Sequence, residues 1–319
     1  MARAKSKNIT NTPNSAQVLH NAESLSAALP GLMTTASRVA HTVAQGLHGR
    51  RRAGIGETFW QFRAHREGDT ASMIDWRKSA RTERLYVRER EWEAVNTIWL
   101  WVNPSSSMTF QSTLSQTSKR ERALVLSLAL ANLLVQGGER IGAFASDMPP
   151  STSQHAVRRL AEYFVTHMDQ TQTHNSLPPK IHPARFSNIV MFSDFFEPIE
   201  QLTERLTAIA SRDVHGHLIQ VVDPAEETLP YQGRTQFLSM KQDISLTFGR
   251  VEDLRGQYRE NFELHRTAVR ALTRRLGWSF GVHRTDAPPQ SALLTLYRML
   301  ADAIEPHRTH VRSKASIHM

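Results

Sequence analysis

Thr97-Ile98-Trp99-Leu100-Trp101-Val102, followed by Asn103-Pro104-Ser105-Ser106-Ser107, decides the fold. The first segment has the length of a strand and no alternating polar face, as in a strand covered on both sides of a parallel sheet. The polar, proline-containing loop ends it abruptly. Downstream, Lys119–Gln136 reads as a helix, apolar nearly all round from Ala123 to Val135 and therefore buried. Gly137-Gly138 stops it. Arg140–Phe144 is a second strand and His155–His167 a helix. Asn188–Phe192 is a third strand, ending at Ser193-Asp194, and Ile199–Ser211 a helix. His215–Val222 is a fourth strand, ending at Asp223-Pro224.

Turn signals then surround two short strand-like pieces, Thr235–Leu238 and Ile244–Phe248, a small β excursion at about 225–250. Val251–Leu276 reads as a long charged helix, Trp278–His283 as another core strand and Ser291–Ile304 as a closing helix. Strands alternating with helices predict an α/β domain over 92–305, a doubly wound, mostly parallel sheet with Thr97–Val102 as a central strand. Right-handed crossovers bring the loops that start at Asn103, Asp194, Asp223 and Arg284-Thr285-Asp286 to one sheet edge, where ligands of such folds sit.

Upstream, residues 1–17 read as a disordered leader and 18–91 as a separate stretch. Apolar spacing over Ser24–Gln45 predicts helix, interrupted at Pro30-Gly31. Phe59-Trp60-Gln61-Phe62 starts a strand, Ala71–Ala80 fits a short helix, and Leu85 and Val87 alternate with Tyr86, Arg88 and Arg90 in another strand. The tail 306–319 is basic.

A net charge of +9 and a pI near 10.2 suit an acidic partner. Acidic residues are nevertheless interleaved: Arg50–Glu91 holds 11 Lys/Arg and 7 Asp/Glu, a mixed network rather than a polycation. The absence of cysteine excludes disulfides, thiolate zinc sites and a cysteine nucleophile. No apolar run reaches the ~18 residues of a membrane span, and no secretory signal pattern occurs near Met1. The expectation is a cytoplasmic protein. There is no H-E-x-x-H, G-x-S-x-G or G-x-x-x-x-G-K-[ST] motif, and Gly54-Ile55-Gly56 lacks the acidic residue of a dinucleotide fingerprint. His215 and His217 share a strand face without a third metal ligand.

Two constellations carry a resemblance. The loop Asn103-x-Ser105-x-Ser107, with Asp194 on a later strand end, resembles the von Willebrand factor A fold. There a D-x-S-x-S loop, a threonine and a second aspartate hold a divalent cation that accepts a partner's carboxylate. The resemblance implies a degenerate metal set of Asn103, Ser105, Ser107 and Asp194, with Thr173 or Ser176 in the threonine role. Asn103 stands where the family has a charged ligand, so weak or absent Mg²⁺ binding is expected. Ser105 and Ser107 then serve as caps of the turn.

The second constellation is the Gly/Arg-rich segment: Gly46-Leu47-His48-Gly49-Arg50-Arg51-Arg52, Arg63, Gly68-Asp69, Ile74-Asp75-Trp76, Ser79-Ala80-Arg81 and Leu85–Glu91. It is similar to the bacterial domain-of-unknown-function family fifty-eight, in which such a segment precedes a von Willebrand A-like domain. That resemblance implies partners: MoxR-type AAA+ ATPases and other von Willebrand A-like proteins. Many members resemble membrane-anchored proteins.

Arg63, Arg77 and Arg81 suit bidentate pairing with Asp69 or Asp75, with Trp76 as a cover, which makes the segment a clasp on the main sheet. Arg50, Arg51 and Arg52 instead suit an acidic surface or a phosphate. The expected function is a non-enzymatic adaptor acting with a MoxR-type ATPase in protein assembly or remodelling. The alternatives are a phosphate or nucleic-acid binder that uses the Arg-rich segment and, weaker, a hydrolase that uses Asp69 and Asp75.

Overall fold

The structure, a computed structural model, describes residues 31, 33–44, 61–64, 79–80, 85–89, 96–170, 176–211, 213–239 and 245–300. A first helix, α1, runs over 33–44, the position expected after Pro30-Gly31. Strands β1 (Gln61–Ala64) and β2 (Tyr86–Glu89) pair antiparallel, with Arg63 opposite Val87. The main domain then follows as β3 (Thr97–Val102), α2 (Lys119–Gln136), β4 (Arg140–Ala143), α3 (Gln154–Gln170), β5 (Asn188–Ser193), α4 (Ile199–Ala210) and β6 (His215–Val222). It continues with α5 (Pro224–Thr228), β7 (Thr235–Leu238), β8 (Ser245–Phe248), α6 (Arg255–Arg275), β9 (Ser279–Arg284) and α7 (289–300).

Five strands form one sheet in the order β4-β3-β5-β6-β9, every neighbouring pair parallel. Thr97–Val102 lies inside this sheet, between β4 and β5, and the geometric middle is β5. Alternation along each strand divides the core in two. Ile98, Leu100 and Val102 join Val190, Phe192, Ile219 and Val221 beneath α2, α3, α1 and α7. Trp101, Ile189, Met191 and Leu218 face the other way, with Leu202 and Leu206 of α4 and Val269 and Leu272 of α6. Helix α2 is buried along most of its length because α3 packs against it from outside.

Two differences from the expectation have local causes. Residues 224–228, at the start of the expected β excursion, are helical. Asp223 and Glu226 form a reciprocal capping box and Pro224 occupies the first turn, where its missing N–H costs nothing. The hairpin proper is β7–β8. The long charged helix begins as a 3₁₀ turn at Val251–Leu254 before becoming α6.

The β6–β9 seam is shaped by one glycine. A Cβ on Gly216 would lie 2.0 Å from the Trp278 ring, whose Nε1 donates to the Val214 carbonyl at 2.9 Å. The indole thus lies flat on the β6 backbone. Gly216→Ala should lower stability by about 1–3 kcal/mol through overpacking, read as a lower urea midpoint at unchanged m-value.

Two buried histidines on this seam set an acid limit. His217 bonds the Ser279 hydroxyl through Nδ1 at 2.8 Å. Burial, with His215 nearby, lowers its pKa to about 4. Burial, with Arg122 nearby, lowers His283 to about 4 as well. Both folded values lie below the unfolded value of ~6.5, so the unfolded chain binds more protons in this window. Stability is therefore full above pH ~6.5 and falls as pH drops towards ~4, by on the order of 3 kcal/mol per histidine at the limit. Urea midpoints measured across that window should show the loss, and His217→Gln should reduce it.

Candidate functional site

The chain order in the sheet reverses at β3 and β5, so the loops that follow them leave towards opposite faces and open a crevice between their carboxyl ends. The Asn103 backbone N–H extends the pairing by donating to the Phe192 carbonyl at 2.9 Å. Both ends of its amide are engaged. Nδ2 donates to Ser193 Oγ at 2.8 Å, and Oδ1 accepts the Ser105 N–H at 2.9 Å, an Asx turn. Ser105 caps a 3₁₀ turn over Ser106–Thr109, accepting the Ser107 N–H at 3.3 Å. The Ser105 and Ser107 hydroxyls lie 3.1 Å apart. These oxygens hold the loop together.

Asp194 follows on the neighbouring strand end, fully buried. Its Oδ2 accepts from Lys119 Nζ at 3.0 Å, and the same ammonium donates to Glu226 Oε1 at 2.5 Å. Lys119 is also fully buried, the largest such side chain in the described residues. The Phe196 ring lies 5.1 Å from Nζ and the Phe110 ring 6.0 Å. Burial alone would lower the lysine pKa, but the charges of Asp194 and Glu226 outweigh it and raise the value. Two carboxylates share one ammonium. Burial, opposed by Lys119, raises the Glu226 carboxyl above its ordinary range, and Asp194 adds to the rise.

The surrounding contacts fix each acid. Glu226 Oε2 accepts the Asp223 N–H at 2.9 Å, so one carboxylate both caps α5 and binds the ammonium. Asp223 accepts the N–H groups of Ala225 at 2.8 Å and Ser112 at 2.9 Å, tying α5 to the loop after β3. Gln220 Nε2 donates to the Asp194 carbonyl at 2.9 Å and its Oε1 accepts from Arg266 Nε at 3.0 Å. Arg266 also pairs with Glu227 and Glu263. Phe195 adopts a left-handed φ of 52°, a conformation that costs energy in a non-glycine residue and turns the chain sharply after Asp194.

The structure thus brings Asn103, Ser105, Ser107 and Asp194 to one crevice. It also places Asp223 at the same edge, where Arg122 Nη2 meets the Thr285 carbonyl at 2.8 Å. Ser176 is buried, and Thr173 lies outside the described residues. Arg63 lies on β1; Arg50, Arg51, Arg52, Asp69, Asp75, Trp76, Arg77 and Arg81 lie outside the described residues. Among the described residues, no three His, Asp or Glu side chains are grouped as metal ligands.

Sequence reasoning missed Lys119 and Glu226. Glu226 had a signal, the D-P-x-E capping pattern at 223–226. Lys119 had only a weak one, a cation in the first turn of a helix, where the macrodipole disfavours it. Lys119→Met would leave two buried carboxylates without their counter-ion. It should destabilise the protein by about 3–5 kcal/mol. The deficit should narrow as pH is lowered, because each protonation removes one of the charges left without a counter-ion. Denaturation of both proteins over a pH series measures this.

The site and sheet define an α/β protein with a self-satisfied polar cluster at the switch point of a parallel sheet. The family described as "Protein of unknown function DUF58" matches residues 61–268, and the chain belongs to that family. Uncharacterised proteins of Mycobacterium bovis and Mycobacterium tuberculosis are 28% identical over 275 residues, covering 82% of this chain and 85% of each relative. Among solved structures, a conserved hypothetical protein BatB from Bacteroides thetaiotaomicron aligns with a TM-score of 0.37 and 13% identity, over 66% of this chain and 99% of that one. An aerotolerance-related membrane protein from Bacteroides fragilis aligns with a TM-score of 0.34 and 15% identity over the same shares. Among the described residues, no helix is long and apolar enough to cross a membrane.

Proposed function

We propose that the chain is a non-enzymatic, von Willebrand factor A-like adaptor that works with a MoxR-type AAA+ ATPase in assembling or remodelling other proteins. The observation that carries this reading is the crevice at the sheet switch point. Ligands of such sheets sit there, yet here Lys119, Asp194 and Glu226 fill it from within. On the same loops, Leu114 and Phe196 remain partly exposed. A braced surface with an apolar fringe suits contact with another protein better than capture of a small substrate. The von Willebrand A-like part of the reading is supported by the layout of the loops. A serine-rich loop leaves the first core strand, and an aspartate ends the strand beside it.

The non-enzymatic part is supported by the state of the polar groups. The two acids favour the protonated ammonium, and Asn103, Ser105 and Ser107 bond one another, which suits a structural role for this cluster. ATP hydrolysis belongs to the partner in this scheme, and the adaptor acts in the cytoplasm, where ATP is available.

Biolayer interferometry with the MoxR-type ATPase of the same organism tests the proposal. Saturable association is expected, with no ATP turnover by this chain alone. Leu114→Asp should weaken association about tenfold, a loss of ~1.4 kcal/mol, if the crevice loops make the contact. Replacing Arg50, Arg51 and Arg52 by alanine should slow association at low salt. ATP turnover by the isolated chain would overturn the adaptor reading. Binding to nucleic acid that collapses with added salt, with no association to the ATPase, would replace it by the phosphate-binding alternative.

A further inference from the structure

The switch-point crevice has the oxygen chemistry of a hard-cation site but not the vacancy for an ion. Two carboxylates, Asp194 and Glu226, converge on one point, and the Ser105-Ser107 hydroxyl pair belongs to the neighbouring loop. The point of convergence is Lys119 Nζ. A divalent ion does not fit these residues as they stand. Asp194 Oδ2 and Glu226 Oε1 already hold a positive charge, and Asn103 Oδ1 is taken by the Ser105 N–H. Mg²⁺ placed beside the ammonium would meet a like charge at contact distance.

We propose that Lys119 supplies, from the chain itself, the cation that this site would otherwise take from solution. The coordination of Nζ supports this. Two of its three N–H groups meet carboxylates, and the electron-rich faces of Phe196 and Phe110 lie on the remaining side. The location supports it too. A fully buried lysine is costly, and the first turn of a helix repels a cation. Neither penalty is repaid by α2, whose first turn already has Ser118 and Glu121 for its N–H groups and dipole. The lysine is placed for the acids, which come from β5 and α5, not for its own helix. The charge balance completes the case. Lys119 meets both acids at once. Without Lys119, the two carboxylates carry the charge that one Mg²⁺ or Mn²⁺ neutralises, and such ions take oxygen ligands. The inference rests on this geometry and holds whether or not the adaptor reading does.

Mn²⁺ is the probe, followed by the paramagnetic signal of the free ion and by thermal unfolding, on the full chain. Wild-type protein should take up no Mn²⁺ at micromolar concentrations, and its Tm should not respond to the ion. Lys119→Ala should bind about one Mn²⁺ per chain, and its Tm should rise by about 5–10 °C at a ~100-fold excess over Kd. Lys119→Met, which fills the same space without charge, and the double variant Lys119→Ala, Asp194→Asn should not respond. If Lys119→Ala is unfolded without metal, the readout is recovery of its circular dichroism on adding Mn²⁺, with Lys119→Met as reference. Micromolar uptake by the wild type would overturn the proposal. So would a Lys119→Ala protein that responds to Mn²⁺ no more than Lys119→Met.

Discussion

One ammonium group, buried between Asp194 and Glu226, joins the parts of the domain that the chain makes at widely separated points. Lys119 begins α2, Asp194 directly follows β5, and Glu226 belongs to the first turn of α5. Each of these elements lies at the carboxyl edge of the sheet, where crossover helices begin and the backbone leaves the ladder. The loops there lack strand partners, so their buried backbone groups must be paired in another way. The ion cluster substitutes for them. Its carboxylates also serve neighbouring backbone: Glu226 caps Asp223, and Asp223 in turn holds the loop at Ser112. Disturbing the ammonium therefore disturbs several loops together.

The layers of the fold were legible because the core strands are apolar on both faces and the helices between them are of ordinary length. Thr97–Val102, Asn188–Ser193 and His215–Val222 lie where the sequence puts them, since burial on both sides leaves each strand mostly apolar, with His217 and Gln220 the polar exceptions in the last. The 3₁₀ turn after β3 and the short helix α5 were harder to see. Their causes are single side-chain hydrogen bonds, at Ser105 and Asp223, which produce no periodicity. The position of Gly216 was readable but its purpose was not, because the contact with Trp278 spans the separation between β6 and β9.

The candidate site was legible in its loops and illegible in its charge. Asn103, Ser105, Ser107 and Asp194 stood out by spacing, and they do converge. Loop spacing could not show that an amine from α2 reaches the same point. A lysine at the head of a helix looks like any solvated cation until the fold buries it. Glu226 was hidden in the same way, since a capping acid normally faces water with its second oxygen. Long-range electrostatic partners have no sequence period, and only the assembled sheet edge brings them together.

The indole of Trp278 on Gly216 has a consequence for how the chain reaches this structure. The contacts that close the sheet at β9 join residues far apart, as in the His217–Ser279 bond across 62 positions. Between them the chain must complete α5, the β7–β8 hairpin and α6. Loop-closure entropy makes such a pairing slow, whereas β3, α2 and β4 close on one another locally. The last strand pairs along the edge that β6 presents, and the bare backbone at Gly216 is the socket that receives the Trp278 ring. A side chain there would hold these two distant segments of the chain apart.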